Sequence, residues 1–282
     1  MIELFTSPFV QHIIITALLL SISSGVIGSL IVANKSVFLA GGVAHAAFGG
    51  VGVAVFFGFH VLLGALGAGL AMAAFLVYAT LWHRGRLDTF IAISWAFGMA
   101  LGIVLIELAP GYKINMESYL FGTLAFSTWQ DIYALAGFNA LLLGFVGLFY
   151  REILAVLYDM EFSRLLRLPT KLLLTMIFLL TACGVVLGMR AGGLVLVISM
   201  LSIPAYIAMM FARNLAMQLW LSSGICLLCM AGGIAISFIY NIALGACIVL
   251  VCVGVFICAL FLRKLLQAFA PNLITKETHG KN

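Results

Sequence analysis

The sequence predicts an all-α, polytopic membrane protein with eight or nine transmembrane helices, and three observations carry that prediction. Of 282 residues, 65% are hydrophobic and only 8% charged, and the mean hydropathy is +1.26. A soluble globule has to cover its surface with charge, so that class is excluded. Apolar runs long enough to cross a bilayer recur along the whole chain. Twelve of the fourteen Lys and Arg residues fall on alternate loops and the C-terminal tail, which is the positive-inside pattern. The formal charge of +5 therefore reports orientation rather than a nucleic-acid partner.

The N-terminal MIELFTSP carries Glu3 and no basic stretch, so no cleavable signal is expected and the first span serves as its own insertion signal. That span runs from Phe9 to Val32 and delivers Asn34 and Lys35 to the cytoplasm. The second, Ser36–Phe59, contains LAGGVAHAAFGGVG and leads outward to His60. His45 follows Lys35 by ten residues, which at 1.5 Å per residue is about 15 Å, half of a hydrocarbon core about 30 Å thick. An ionisable group at that depth is expensive and is a functional candidate by default. The competing reading is a neutral imidazole bonded to a neighbouring helix. Gly41, Gly42, Gly49 and Gly50 strip bulk from both sides of the ring, which permits close helix approach or leaves open volume along a path.

A third span returns from Val61 to Trp82 and ends in His83, Arg84 and Arg86. Asp88 and Thr89 then cap a fourth that climbs to Glu107, a possible cation attractor at the entrance. Pro110, Gly111, Lys113 and Glu117 indicate an outer loop, and Tyr119–Ser127 is too short to cross, so a re-entrant or interfacial helix is expected there. The fifth span is Gln130–Tyr150.

Arg151–Lys171 is the longest polar interruption and the most basic, hence cytoplasmic. Leu157, Phe162, Leu165 and Leu166 among its charges describe a short amphipathic helix that needs a lipid surface or a protein groove. Leu172–Leu187 leads to an outer turn, Gly188–Gly193, holding Arg190. Leu194–Phe211 contains Pro204, which kinks the helix and frees the Met200 carbonyl for Ser199, Ser202, water or a ligand. Trp220–Tyr240, a tight Asn241–Gly245 turn and Ala246–Leu262 complete the set, with the tail 267–282 in the cytoplasm. Trp82, Trp129 and Trp220 fall at span ends, as an aromatic belt requires. No internal repeat is evident, and residues 1–282 read as one domain.

All six cysteines lie in apolar stretches of the second half, which is no disulfide framework, and the Cys226–Cys229 pair reads as packing. The methionines, Met200, Met209 and Met210 among them, read the same way. No G-x-x-x-x-G-K-[ST] loop is present, so ATP hydrolysis would fall to another chain, and neither H-E-x-x-H nor G-x-S-x-G occurs.

Several stretches taken together resemble the permease subunits of bacterial metal-ion ABC transporters, which import zinc, manganese or iron. They are GSLIVANKSVFLAGGVAHAAFGGVG, LDTFIAISWAFGMALGIVLIE with SYLFGTL, YREILAVLYDMEFSRLLRL, GMRAGGLVLVISMLSIPAYIA and YNIALGACIVL, spread from Ile13 to Leu262. The resemblance implies a type II ABC importer-like permease. It implies a pore made of two copies, two cytoplasmic ATP-binding subunits, an extracytoplasmic metal-binding protein, and a multi-pass place in the bacterial inner membrane with the C-terminus inside. No cofactor is implied for this chain, and the metal ion is cargo. Family members carry Gly-Asp-x-x-Ser-His-Ala on the second helix; the histidine matches His45, while Gly41 stands in place of the aspartate and Ala44 in place of the serine. Losing that carboxylate removes an oxygen ligand and a compensating charge. Either His45 from both copies holds the ion, or another group serves, or the substrate differs. Asn241 and Ala243 also depart from the family's acidic residue and proline. The coupling segment maps onto Tyr150–Leu168, so Asp159, Glu161, Phe162 and Leu165 are expected to dock in an ATPase groove.

Two rival classes remain open at this level. A proton-coupled secondary transporter would use His45 as its relay, but the chain is poor in membrane carboxylates. An intramembrane enzyme would need at least two convergent polar groups, and away from their ends the apolar spans offer one histidine with scattered serines.

Overall fold

The computed structural model describes residues 8–82, 87–110, 124 and 128–269. Among them lie eleven helices: α1 Pro8–Ala33, α2 Phe38–Phe57, α3 Val61–Trp82, α4 Leu87–Leu108, α5 Trp129–Leu148, α6 Tyr150–Tyr158, α7 Met160–Leu165, α8 Thr170–Gly192, α9 Leu194–Phe211, α10 Leu215–Tyr240 and α11 Leu244–Phe269. Nine are long and apolar enough to cross a membrane. That count agrees with the upper value expected from hydropathy. The Tyr119–Ser127 stretch lies outside the described residues apart from Leu124, which is buried among Ile13, Leu20 and Leu196.

Helix α2 is the centre of the bundle. It packs on α3 and α4 most extensively and also meets α8 and α9, while α1 lies against α10, α9 and α5, and α11 closes the far side against α10 and α9. One buried core gathers Leu39, Val43, Phe48, Leu76, Phe178 and Val185, and a second gathers Ile13, Leu20, Met200, Cys226, Met230 and Ile248.

Intrinsic propensity does not explain α2. Each glycine in a helix interior gives up about 1 kcal/mol relative to alanine, and α2 contains five, at 41, 42, 49, 50 and 52. In hydrocarbon the backbone has no other hydrogen-bond partner, so the helix persists, and the glycines become contact surface. Gly58, at φ 73, ends it, and the N–H of Phe59 donates to the Ala54 carbonyl at 3.0 Å.

The ends of several helices differ from the sequence expectation. Asp88 is not an N-cap, because α4 begins at Leu87 and Asp88 sits within its first turn, where its charge still favours the helix dipole. Helix α8 continues past Leu187 to Gly192, and the only break before α9 is Gly193 at φ 86. The small residues Gly188 and Gly192 let the chain stay helical there while packed against Val197, Leu196 and Leu20. Helix α10 begins at Leu215, five residues before Trp220, because the Asn214 side chain accepts from the Met217 N–H at 2.7 Å.

Candidate functional site

The site is built on three glycine contacts along two helix seams. At the first, α2 runs beside α3, and Gly50 meets the Gly64 carbonyl while Gly64 meets that of Gly50. At the second, α2 and α4 run parallel, with Gly49 and Gly52 against Gly98 and Gly102; a Cβ at Gly52 would come within 2.7 Å of the Gly102 Cα. At the third, Gly98 lies against the backbone of His45 itself. Gly41, Gly42, Gly49 and Gly50 are all buried. At Gly49 and Gly50 neighbouring helix backbones approach closely, whereas Gly41 and Gly42 face the side chains of Trp95 and Ile91.

His45 lies seven residues into α2, about 10 Å along a helix of about 30 Å. Its ring is half-buried, its Nδ1 is buried, and that atom has no hydrogen-bond partner among the described residues. The neutral-histidine alternative required a bond from a neighbouring helix, and at Nδ1 none is made. Against the imidazole lies Trp95 of α4, ring centroids 5.2 Å apart and tilted by 46°. The Trp95 Nε1 is likewise buried and unpartnered. Its indole fills the space beside Gly41: a Cβ there would collide with the six-membered ring and stand 3.0 Å from Nε1. Beyond the indole a cleft of about 240 Å³ opens, lined by Phe38, Asp88, Ile91, Ala92 and Trp95. Among the described residues no group of three or more His, Cys, Asp or Glu is placed to hold a metal.

A second polar locus forms where the C-terminal ends of α2 and α8 meet the N-terminal end of α5. Two adjoining clefts of about 470 and 130 Å³ share His60, Leu62 and Arg190. Arg190 pairs with Asp131 at 2.6 Å. Asp131 also completes a capping box with Thr128, accepting from its hydroxyl at 2.6 Å and its N–H at 3.0 Å. Glu107 is exposed near the C-terminal end of α4, which is this same end of the bundle because α4 parallels α2.

With this geometry in hand, comparison with known proteins is informative. Residues 6–263 match the ABC 3 transport family. The chain belongs to that family. An uncharacterized membrane protein of Synechocystis is 37% identical over 264 residues, covering 94% of each chain. The manganese transport system membrane protein MntC of Listeria monocytogenes is 30% identical over 251 residues, 89% of each. Among solved structures, PsaBC from Streptococcus pneumoniae in complex with Fab superposes with a TM-score of 0.83 at 26% identity, over 95% of this chain and 99% of that one. The resemblance drawn from five short stretches of sequence thus holds, and the protein is an ABC transport permease.

The remaining residues singled out in this ABC 3 permease take several different positions. The expected amphipathic helix of the 151–171 segment is instead two helices, α6 and α7, because Asp159 turns the chain with φ −145 and ψ 93 and caps α7, accepting from the Phe162 N–H at 2.9 Å. Ile153 and Val156 are buried under α6, and the Tyr150 hydroxyl accepts from the Ala216 N–H at 3.1 Å, tying the segment to α10. Phe162, Leu165 and Leu166 stay exposed, Leu165 at 81%. Glu161 is exposed as well.

Pro204 is buried within α9. Ser199 and Ser202 bond to the Val195 and Ile198 carbonyls, so neither serves the Met200 carbonyl. That group receives the Cys226 thiol at 3.5 Å, one side of a sulfur-rich contact in which the Cys252 thiol also approaches the Met200 Sδ at 3.9 Å. All six cysteines are free.

Trp95 is the site residue that sequence reading missed. A signal was present: three of the four tryptophans fall at or near span ends, and Trp95 alone lies mid-span in LDTFIAISWAFG.

Proposed function

We propose that this chain is the membrane permease of an ATP-driven importer of divalent transition-metal ions, in the zinc, manganese and iron class. The ion passes His45 between two copies of the chain in the bacterial inner membrane. The observation that carries the reading is His45 itself, an imidazole with a buried, unpartnered ring nitrogen inside an apolar helix of a family of transporters. A path must bind briefly in order to release, and one imidazole per copy is a weak, exchangeable ligand set. The name of the manganese transport protein of Listeria monocytogenes supports the metal class.

Each expected partner has a surface to meet. Ile93, Phe97, Val104 and Leu108 make an exposed apolar stripe along α4, suited to the second copy or to lipid. Phe162, Leu165 and Leu166 project from α6–α7, beside Glu161 and Arg167, toward one of two ATP-binding subunits. An extracytoplasmic metal-binding protein would deliver the ion at the end bearing His60, Asp131, Arg190 and Glu107, where carboxylates draw cations. ATP-driven closure of the partner subunits would rock the helices between two openings. His45→Ala should abolish metal uptake in a deletion strain while the permease still co-purifies with its ATPase. Normal uptake by that variant, or uptake that persists without the ATPase and collapses with an uncoupler, would overturn the reading.

A further inference from the structure

We propose that Trp95 is a specificity-determining residue of the transport path, selecting ions that prefer imidazole, such as Zn²⁺, over ions that prefer carboxylate oxygen, such as Mn²⁺. The inference rests on the reading that the ion passes His45.

It starts from exclusion. A carboxylate meeting the same ion as His45 from its own helix has to lie one turn away, and position 41 is the residue one turn toward the N-terminus. The indole already holds that space: any side chain at position 41 collides with the Trp95 ring. The carboxylate of α4 that shares the cleft with Trp95 is Asp88, which lies two turns from the indole, about 10 Å along the helix. The place on α2 one turn before the imidazole is thus closed to an anionic oxygen.

The second step concerns what the indole offers. Its Nε1–H is a donor only and cannot ligate a cation. It is buried and unpartnered, as is the Nδ1 of His45 against which the ring is tilted. One ring therefore supplies a metal ligand, and the other supplies a donor for an oxygen that the metal carries with it, such as a retained water. Imidazole suits zinc, iron, nickel and copper, whereas manganese is held mainly by carboxylate, carbonyl and water. A site with nitrogen as its protein ligand and no carboxylate discriminates on that basis. Affinity is set by imidazole, and the indole orients the ion's hydration, as an outer-shell donor does in resident metal sites.

The test measures competitive uptake of radioactive zinc and manganese in a deletion strain carrying the complete transporter. Variants of this chain are compared at equal amounts of assembled complex. Gly41→Asp alone should lose uptake of both ions, because the new side chain collides with the indole. Gly41→Asp combined with Trp95→Ala should recover transport and move the zinc-to-manganese ratio toward manganese by about tenfold or more, the scale on which outer-shell changes act at metal sites. Trp95→Phe keeps most of the ring without the N–H and should raise the zinc KM several-fold with little change in maximal rate. It preserves the packing if the double variant does not assemble. An unchanged ion ratio in the double variant, or an unchanged zinc KM in Trp95→Phe, overturns the role of Trp95. His45→Ala run in parallel separates the two levels: uptake surviving that change removes the underlying reading, whereas uptake lost there with an unmoved ratio removes only this inference.

Discussion

The surroundings of His45 and those of Arg190 solve opposite problems. Around His45 helices touch backbone to backbone through glycine, and two buried polar atoms, an imidazole nitrogen and an indole N–H, have no hydrogen-bond partner among the described residues. Around Arg190 the helices part, two clefts open, and a charged pair at 2.6 Å shares its carboxylate with a helix cap. Deep in the bundle packing dominates, because an unpaired charge there is too costly. Where the helices end, charge is cheap and screened, so it can attract and position. The difference teaches that the two loci should respond to different perturbations.

The largest expected effect comes from filling a seam. Gly50→Val drives a branched side chain into the Gly64 carbonyl, and overpacking of this kind costs up to about 3 kcal/mol. Thermal unfolding in detergent should show a large loss that is the same at low and high salt. Asp131→Ala ranks next. It removes a cap worth about 1 kcal/mol and an ion pair worth up to about 1 kcal/mol. Arg190→Gln should cost only the second part, and that part should shrink as salt is raised. A salt-independent cost for Arg190→Gln would break the contrast between the two regions.

Smaller effects sharpen it. Cys226→Ala leaves the Met200 carbonyl beneath Pro204 without its thiol partner, and about 1 kcal/mol of stability should go with it. The smallest effect has the opposite sign. Gly67 lies on α3 three residues from Gly64, but a Cβ there meets nothing within 4 Å, so Gly67→Ala should gain up to about 1 kcal/mol from helix propensity. Gly64→Ala, one turn away, should lose stability against Ala54 and the Gly50 carbonyl. Measuring the two alanines side by side tells seam from surface on one helix.

Hydropathy and the basic loops were sufficient to read the spans, since in lipid an apolar run has no alternative to a helix. His45 stood out because its cost at that depth is a property of one residue. What escaped depends on residues far apart in sequence. Trp95 acquires meaning only from the missing side chain at Gly41, fifty-four positions earlier. The partner of the Met200 carbonyl is a thiol on another helix, Cys226, although two nearer hydroxyls compete for it on paper. Asp159, read from sequence as a docking charge, is exposed and also starts α7 through one carboxylate oxygen, a local bond that composition does not reveal. The start of α10 moved by five residues because the Asn214 side chain captured a free N–H.

Helix α8 begins directly after Pro169 and stops directly before Gly193, with Lys171 over the Trp82 ring at one end and Arg190 bound to Asp131 at the other. Its 23 residues make a stiff lever about 35 Å long, anchored at both tips and hinged at neither by more than one residue. A tilt imposed beside α6 and α7 would swing the guanidinium at the opposite tip, because a single rod joins the two ends.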